Sequence, residues 1–387
     1  MSKTNLHLFF ILFLCLWLVD ASSCDSSDYS NGISDRLHLS GEAGAGFFDT
    51  EADGEFPNDE FRVDEAKLFL EAAIVNDIYV FLEVDVFLRE EPEEKLALGE
   101  LYLEFEDVSK LWNQERVLNL RIGRFDIPFG EEYLTRDLID NPLITHSLID
   151  NWGVDEGIEA YGSIKQFEYV FAIQNGSEPI LNDFNADKAI AGRLLFRPRS
   201  RLHFSFSAMR TGDLDVEQDK FSEVWFGNGF VRVLGSPLST TTFAADLFQA
   251  DGHMEWQSGH VHLSGGKLHY DDDDTVDDNH RNVHYFQVEA LQNLNRNKDT
   301  PWYSVARFSR LTSDRGFPMV GNGEVGRFLF DDNLLTEELW RLSLGVGYRI
   351  KRNLLVKMEY CFENGTQVNG QKRDAENLFG VAAAVRF

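Results

Sequence analysis

Proline and cysteine are both scarce, at 9 and 3 residues in 387. Three cysteines exclude a disulfide-stapled scaffold, and two of them, Cys15 and Cys24, stand at the extreme N-terminus. Basic charge is also short: 36 Lys and Arg face 65 Asp and Glu, a net charge of −29. That balance excludes a nucleic-acid binder, which needs a basic footprint to displace counterions from phosphates. Beyond Ser23 no apolar run approaches the roughly eighteen residues of a transmembrane helix. Enzyme signatures are missing as well. There is no G-x-S-x-G elbow, P-loop, H-E-x-x-H or C-x-x-C, so neither a catalytic group nor a cofactor or metal is expected.

The first residues point to export. Lys3 supplies a positive start, and Leu8 to Val19 is an unbroken apolar run of twelve, too short to span a bilayer as a helix. Ala21-Ser22-Ser23 offers a small-residue cleavage site. Cys24 follows it in a loose likeness of a lipobox, but Ala rather than Leu at the −3 position favours simple cleavage. The expected division is a signal peptide over 1–23, a periplasmic N-terminal segment over 24–35 and a barrel over 36–387.

From Arg36 onward apolar residues alternate with polar ones. Leu37, Leu39, Ala43, Ala45 and Phe47 share one face, with His38, Ser40 and Glu42 on the other. Ala66, Leu68, Leu70, Ala72 and Ile74 oppose Glu65, Lys67 and Glu71; Val80, Leu82, Val84, Val86 and Leu88 oppose Glu83 and Asp85. The pattern recurs near 98–106, 117–124, 155–162, 167–175, 188–197, 201–210, 247–256, 260–269, 283–292, 302–310, 339–350, 354–363 and 376–387, giving sixteen expected strands. Every second connection is short, as at Val75-Asn76-Asp77, Ser163–Gln166 and Lys351–Asn353, while 49–60, 125–154, 177–187, 211–240, 270–282, 311–338 and 364–375 are long. Tight turns on one rim and long loops on the other are the layout of an up-and-down barrel.

The expected fold is therefore all-β, a transmembrane antiparallel up-and-down β-barrel of about 16 strands. A soluble barrel with an apolar interior needs about eight strands. At sixteen the interior is too wide to fill, so charged faces line a water-filled lumen and apolar faces meet outer-membrane lipid. Trp256, Trp302, Trp340, Tyr348, Tyr360 and Phe379 suit interfacial girdles. The last strand, Phe379 to Phe387, is apolar at alternate positions counted back from a terminal Phe. It resembles the signal by which bacterial outer-membrane barrels engage the barrel-assembly machinery.

Gly123-Arg124-Phe125-Asp126-Ile127-Pro128-Phe129-Gly130 resembles the G-x-F-x-x-P-F-G segment of the phosphate-selective porin O and P family. Asp64–Leu70, Gln174-Asn175-Gly176 and Arg193–Pro198 support the likeness. The resemblance implies a sixteen-stranded, homotrimeric diffusion channel whose third long loop, here 125–154, folds into the lumen and narrows it. Parity gives Lys67, Arg121, Arg193, Arg341, Arg349 and Lys357 as inward bases. The inward acids are Glu65, Glu71, Glu83, Asp85, Glu100, Glu104, Glu159, Glu168, Asp251, Glu255, Glu289, Glu359 and Glu363. The loop adds Asp126, Glu131, Glu132, Asp137, Asp140, Asp150 and Asp155 against Arg124 and Arg136. Pore-lining and constriction residues are thus expected among Arg121, Arg124, Asp126, Glu131, Glu132, Arg136, Asp137, Asp140, Arg193, Glu83 and Asp85. Carboxylates dominate, which favours cations by field focusing and departs from a phosphate-selective path. Arg121 and Arg193 either face the loop carboxylates, setting a transverse field, or pair with acids of the neighbouring wall.

Two further clusters stand out. Asp271–Asp274 with Asp277 and Asp278 reads as a solvated acidic loop, since the spacing does not fit an EF-hand. His253, His260, His262, His269, His280 and His284 lie close in sequence, and His260 and His262 share a strand face, but spacing identifies no third metal ligand. Cys361 is expected to point inward among Lys357, Glu359 and Glu363. Three functions fit these features. They are a passive channel for ions and small hydrophilic solutes, cation-preferring or weakly selective (with a phosphate- or anion-selective porin as its variant); a barrel sheath around an electron-carrying cytochrome; and a receptor using loops 211–240 and 311–338.

Overall fold

The computed structural model describes residues 36–50, 59–87, 96–150, 153–176, 186–215, 242–272, 280–294, 301–318, 335–351, 353–373 and 376–387. The expected signal peptide, Cys24 and the 24–35 segment lie outside the described residues, as do most of the acidic 271–278 cluster and of the 211–240 and 311–338 loops.

Strands occupy Leu37–Thr50 (β1), Glu60–Val75 (β2), Ile78–Phe87 (β3), Ala97–Phe105 (β4), Asn119–Asp126 (β5), Val154–Ile164 (β6), Phe167–Gln174 (β7), Ala189–Arg199 (β8) and Leu202–Arg210 (β9). They continue over Leu214–Asp215 (β10), Thr242–Trp256 (β11), Gly259–Asp272 (β12), Arg281–Asn293 (β13), Trp302–Pro318 (β14), Leu335–Ile350 (β15), Leu354–Gln367 (β16) and Glu376–Arg386 (β17). β10 is a two-residue ladder on β11. The other sixteen pair antiparallel in chain order, with β9 on β11, and β17 closes on β1 from Glu42↔Arg386 to Thr50↔Leu378. The barrel has no free edge, so its backbone polar groups are met within the sheet. Among the described residues no helix is long and apolar enough to cross a membrane.

All sixteen expected strands are present. Several run further toward the long-loop rim than alternation indicated: β14 continues through Thr312, Ser313, Asp314 and Arg315 to Pro318. There both faces are polar, so the period-two signal stops, while the strand runs on across an irregularity in its pairing with β15 between Thr312 and Phe317. On the short-turn rim Asn76-Asp77 joins β2 to β3, with Asp77 at φ 64, a left-handed conformation that Asp tolerates through local side-chain hydrogen bonding.

The outer face carries the apolar half of each strand. Leu103, Ile122, Ile158, Ile173 and Ile190 are registered side by side from β4 to β8, each 41–55% exposed. Phe204, Phe206, Phe248, Leu263, Phe286, Leu344 and Met358 continue the band around the barrel. An exposed apolar belt this extensive is incompatible with water and matches lipid. Near the short turns Trp302 packs edge-on against Tyr348, at 4.7 Å between ring centroids. Ile158→Arg is expected to weaken folding into lipid vesicles by roughly 2–4 kcal/mol, the cost of a cation at mid-bilayer. Urea titration in vesicles measures this; an unchanged midpoint would place Ile158 away from lipid.

Candidate functional site

The connection between β5 and β6, described over 127–150 and at Gly153, leaves the wall and fills part of the barrel interior. Its neck is closed by the Ile127 N–H donating to the Gly153 carbonyl, 2.8 Å. Gly130 then turns at φ 72; its N–H donates to Ser207 Oγ (3.1 Å) and its carbonyl accepts from Arg193 (3.0 Å). A single helical turn, Glu132–Thr135, follows. Leu138, Ile139, Leu143, Ile144, Leu148 and Ile149 are all buried. They pack on the inner faces of β11–β17 and β1, against Tyr303, Val305, Leu355, Phe48, Leu378, Leu247 and Leu339. Wall glycines make room: a Cβ at Gly44, Gly345 or Gly380 would lie 2.5–2.8 Å from Leu138, Leu143 or Ile144.

An irregular backbone buried here needs partners for its polar groups. The wall supplies ionised ones. Glu359 accepts from the Ile144 and Thr145 N–H groups (2.6 and 2.8 Å) and the Thr145 hydroxyl (2.6 Å). Lys357 donates to the carbonyls of Leu138, Asn141 and Leu143 at 3.1, 3.2 and 2.6 Å. Arg307 donates to the Thr145 carbonyl, Asn141 Oδ1 and Glu289, while Arg341 donates to the His146 carbonyl and Glu363. Parity placed Lys357, Glu359, Glu289, Arg341 and Glu363 inward, as found. The expectation that they line the water path is corrected: each is 0–2% exposed beneath the loop.

The other half of the interior is open. A cavity of about 1020 Å³ runs from the short-turn rim, at Asp77, Lys110 and Arg116, to the underside of the loop at Asp126, Pro128 and Leu134. Arg121 lies within it between Tyr102 and Tyr161, 4.8 Å from each ring centroid. It is paired with Glu104 and Glu159, both at 3.2 Å. Of the two readings for Arg121, pairing with wall carboxylates holds. Arg193 does reach the loop, but at a backbone carbonyl rather than a carboxylate. Glu100 accepts from the Asp126 N–H (2.9 Å), and both line the cavity.

The remaining expected residues are dispersed. Glu131 is buried against His203 Nε2 (3.0 Å) and His262 Nε2 (3.7 Å). Burial alone would raise its carboxyl, but the hydrogen bonds from His203 and Ser205 hold it below the usual carboxylate range. Glu132 accepts from the Ser147 N–H and faces Arg307 at 3.6 Å. Arg136 forms a bidentate pair with Glu289 (2.8 and 2.6 Å). Asp137 and Asp140 accept from Arg386, which also pairs with Glu42. Glu83 pairs with Lys67 at 3.2 Å, and Asp85 is buried nearby on β3. Arg124 is a correction. β5 continues through Asp126, and residues three apart on a strand face opposite ways. Arg124 therefore stands beside Leu101 and Glu156 on the face of Ile122 and Ile158, paired with Glu156 at 3.1 Å, and does not line the lumen.

Two groups of described residues bring three ligand atoms together, Glu132–His146–Asp150 and Glu42–Asp137–Asp140. In the first, Ser147 and Arg307 already engage Glu132; in the second, Arg386 sits among the carboxylates. Sequence reasoning missed Arg307 and His203. Arg307 lies at an inward position of a strand whose alternation is weak, and His203 stands far in sequence from the other histidines. Cys361 is buried and inward, as expected, against Ser343.

No protein-family model and no curated protein matches the chain. Solved structures do. The chain is similar to the anion-selective porin from Comamonas acidovorans, with TM-score 0.60 and 9% identity over 91% of this chain and 99% of that one. It is similar to the outer membrane channel DcaP of Acinetobacter baumannii, with TM-score 0.58 and 11% identity over 91% and 97%. OmpT, an outer membrane protein of Vibrio cholerae in its trimer form, aligns at TM-score 0.56 and 9% identity over 91% and 99%. At such identities the likeness is one of fold, and the resemblance to the O and P family stands on the residues quoted for it.

Glu359→Ala is expected to strip the amides of Ile144 and Thr145 of their protection from hydrogen exchange, at roughly 1–3 kcal/mol for each buried donor left unmet. Unchanged protection would mean that the carboxylate does not hold the loop.

Proposed function

We propose that the chain is an outer-membrane porin, a passive channel for ions and small hydrophilic solutes, with its short turns toward the periplasm. The observation that carries this reading is the polar cavity left beside a wall-anchored loop, inside a closed barrel with an apolar exterior. The fold shared with porins supports it. A homotrimer, reached through the barrel-assembly machinery, is the proposed assembled state; the family resemblance and the trimer form of the Vibrio cholerae barrel support it. No catalytic or cofactor role is assigned. A cytochrome sheath is disfavoured, because residues 127–150 occupy the space an enclosed protein would need.

Cation preference follows from the cavity's charges. Seven carboxylates line it against four cationic side chains, and such an excess concentrates cations within a Debye length. Planar-bilayer recording across a KCl gradient tests both levels. Stepwise currents with a cation-sided reversal potential are expected, and Glu100→Gln combined with Asp126→Asn should move that potential toward zero. An anion-sided potential would return the phosphate-selective reading, through Arg121 and Arg193. Silence from a correctly folded barrel would refute the channel.

A further inference from the structure

Four imidazoles from three strands meet on the inner wall, at the seam between the filled and open halves of the barrel. His203 of β9 is registered against His253 of β11, and His253 against His262 of β12. His260 lies two residues before His262 on the same face, opposite Glu255. The His203 and His253 rings are nearly parallel, with centroids 4.9 Å apart and planes 8° apart. His253 is 5.1 Å from His260 and 6.0 Å from His262. Carboxylates surround the group: Glu131 at His203 (3.0 Å), Glu255 at His253 (3.4 Å), Glu289 at His260 (3.3 Å) and Asp251 at His262 (3.8 Å).

This packing has a chemical consequence. Charged, the rings would repel one another at about 5 Å; neutral, each carries a nitrogen lone pair. Neutral imidazole nitrogen with a carboxylate oxygen is the donor set of zinc and its neighbours in the first transition series. Calcium and magnesium take oxygen ligands instead. Glu289 is committed to Arg136 and Arg307, and Glu131 is buried with the loop, but Glu255 is 48% exposed. The side chains of His203, His253 and His260 keep 16, 19 and 23% of their surface open, so their rings can turn from the carboxylates toward a shared ion. His262, 4% exposed, is packed behind them.

We propose that His203, His253, His260 and Glu255 form a subsite for a divalent transition-metal ion of the zinc class on the lumen wall. Its access from solution rests on the channel reading; its donor set does not. A dication held there would stand beside the solute path and reduce the negative field around it.

The test uses the full-length folded protein and zinc chloride, by titration calorimetry and by bilayer current. Wild type is expected to bind zinc, with calcium giving no comparable heat, and zinc should lower the potassium current. His253→Gln with His260→Gln should weaken zinc binding by at least about tenfold and remove the current block. His284→Gln, on the outer face of β13, should change neither. Glu255→Gln serves as a second variant should the double substitution fail to fold. An unchanged isotherm in these variants, or an equal response to calcium, overturns the site. A conducting barrel that ignores zinc removes the site and leaves the channel; a silent barrel that binds zinc through these histidines does the reverse.

Discussion

A closed sheet of sixteen strands encloses more space than inward side chains can fill, and the rest of the molecule answers to that constraint. Two solutions are available to the inner wall: water, or a covering segment of chain. This barrel uses both. β11–β17 and β1 are covered by residues 127–150, whereas β4–β8 border the cavity. The division is written into the wall. Glycines and apolar side chains face the loop on one side; Tyr102, Arg121, Glu159 and Tyr161 face the open space on the other.

Covering the wall with loop creates a second problem, since irregular backbone away from water must find partners or lose roughly 1–3 kcal/mol per group. Ionised side chains answer it with stronger hydrogen bonds than neutral ones. Their own burial is costly, several kcal/mol per ion, and is offset only when opposite charge and hydrogen bonds are both present. Arg307 meets Glu289 and two acceptors of the loop; Arg341 meets Glu363 and the His146 carbonyl. Each ion therefore depends on the loop as much as the loop depends on it. Swinging the segment out of the barrel would break both sets of contacts together, so the loop acts as a fixed partition.

Alternation made the strands legible, because lipid outside and polar groups inside impose opposite demands on neighbouring residues. It also gave the inward faces of β13, β15 and β16, including Glu289, Arg341, Lys357 and Glu363. What alternation cannot carry is whether an inward residue meets water or another part of the chain. Arg136 finds Glu289 across 153 positions, and Lys357 finds Leu138 across 219. Nothing local to either residue announces that contact. Arg124 failed for a different reason: it ends the alternating run over 117–124 and was counted with the loop, whereas it stays paired within β5 on the face opposite to Arg121. His203 escaped notice because β9 and β11, although paired side by side, are separated by a long stretch of sequence.

The covered half also changes what the overall charge means. A net charge of −29 describes the chain, but Glu289, Glu359 and Glu363 are engaged by cations or loop amides and contribute little to the field in the open half. Within the cavity Glu159 is answered by Arg121, Asp77 and Asp107 by Lys110, and Glu168 by Arg197. The field beneath the loop is then set chiefly by Glu100 and Asp126 on one side and Arg193 on the other. The field inside such a barrel resides in a few side chains of the open wall, while the fold resides in the alternation of the strands. Two barrels of this architecture can therefore carry opposite ions and differ in only a handful of wall positions.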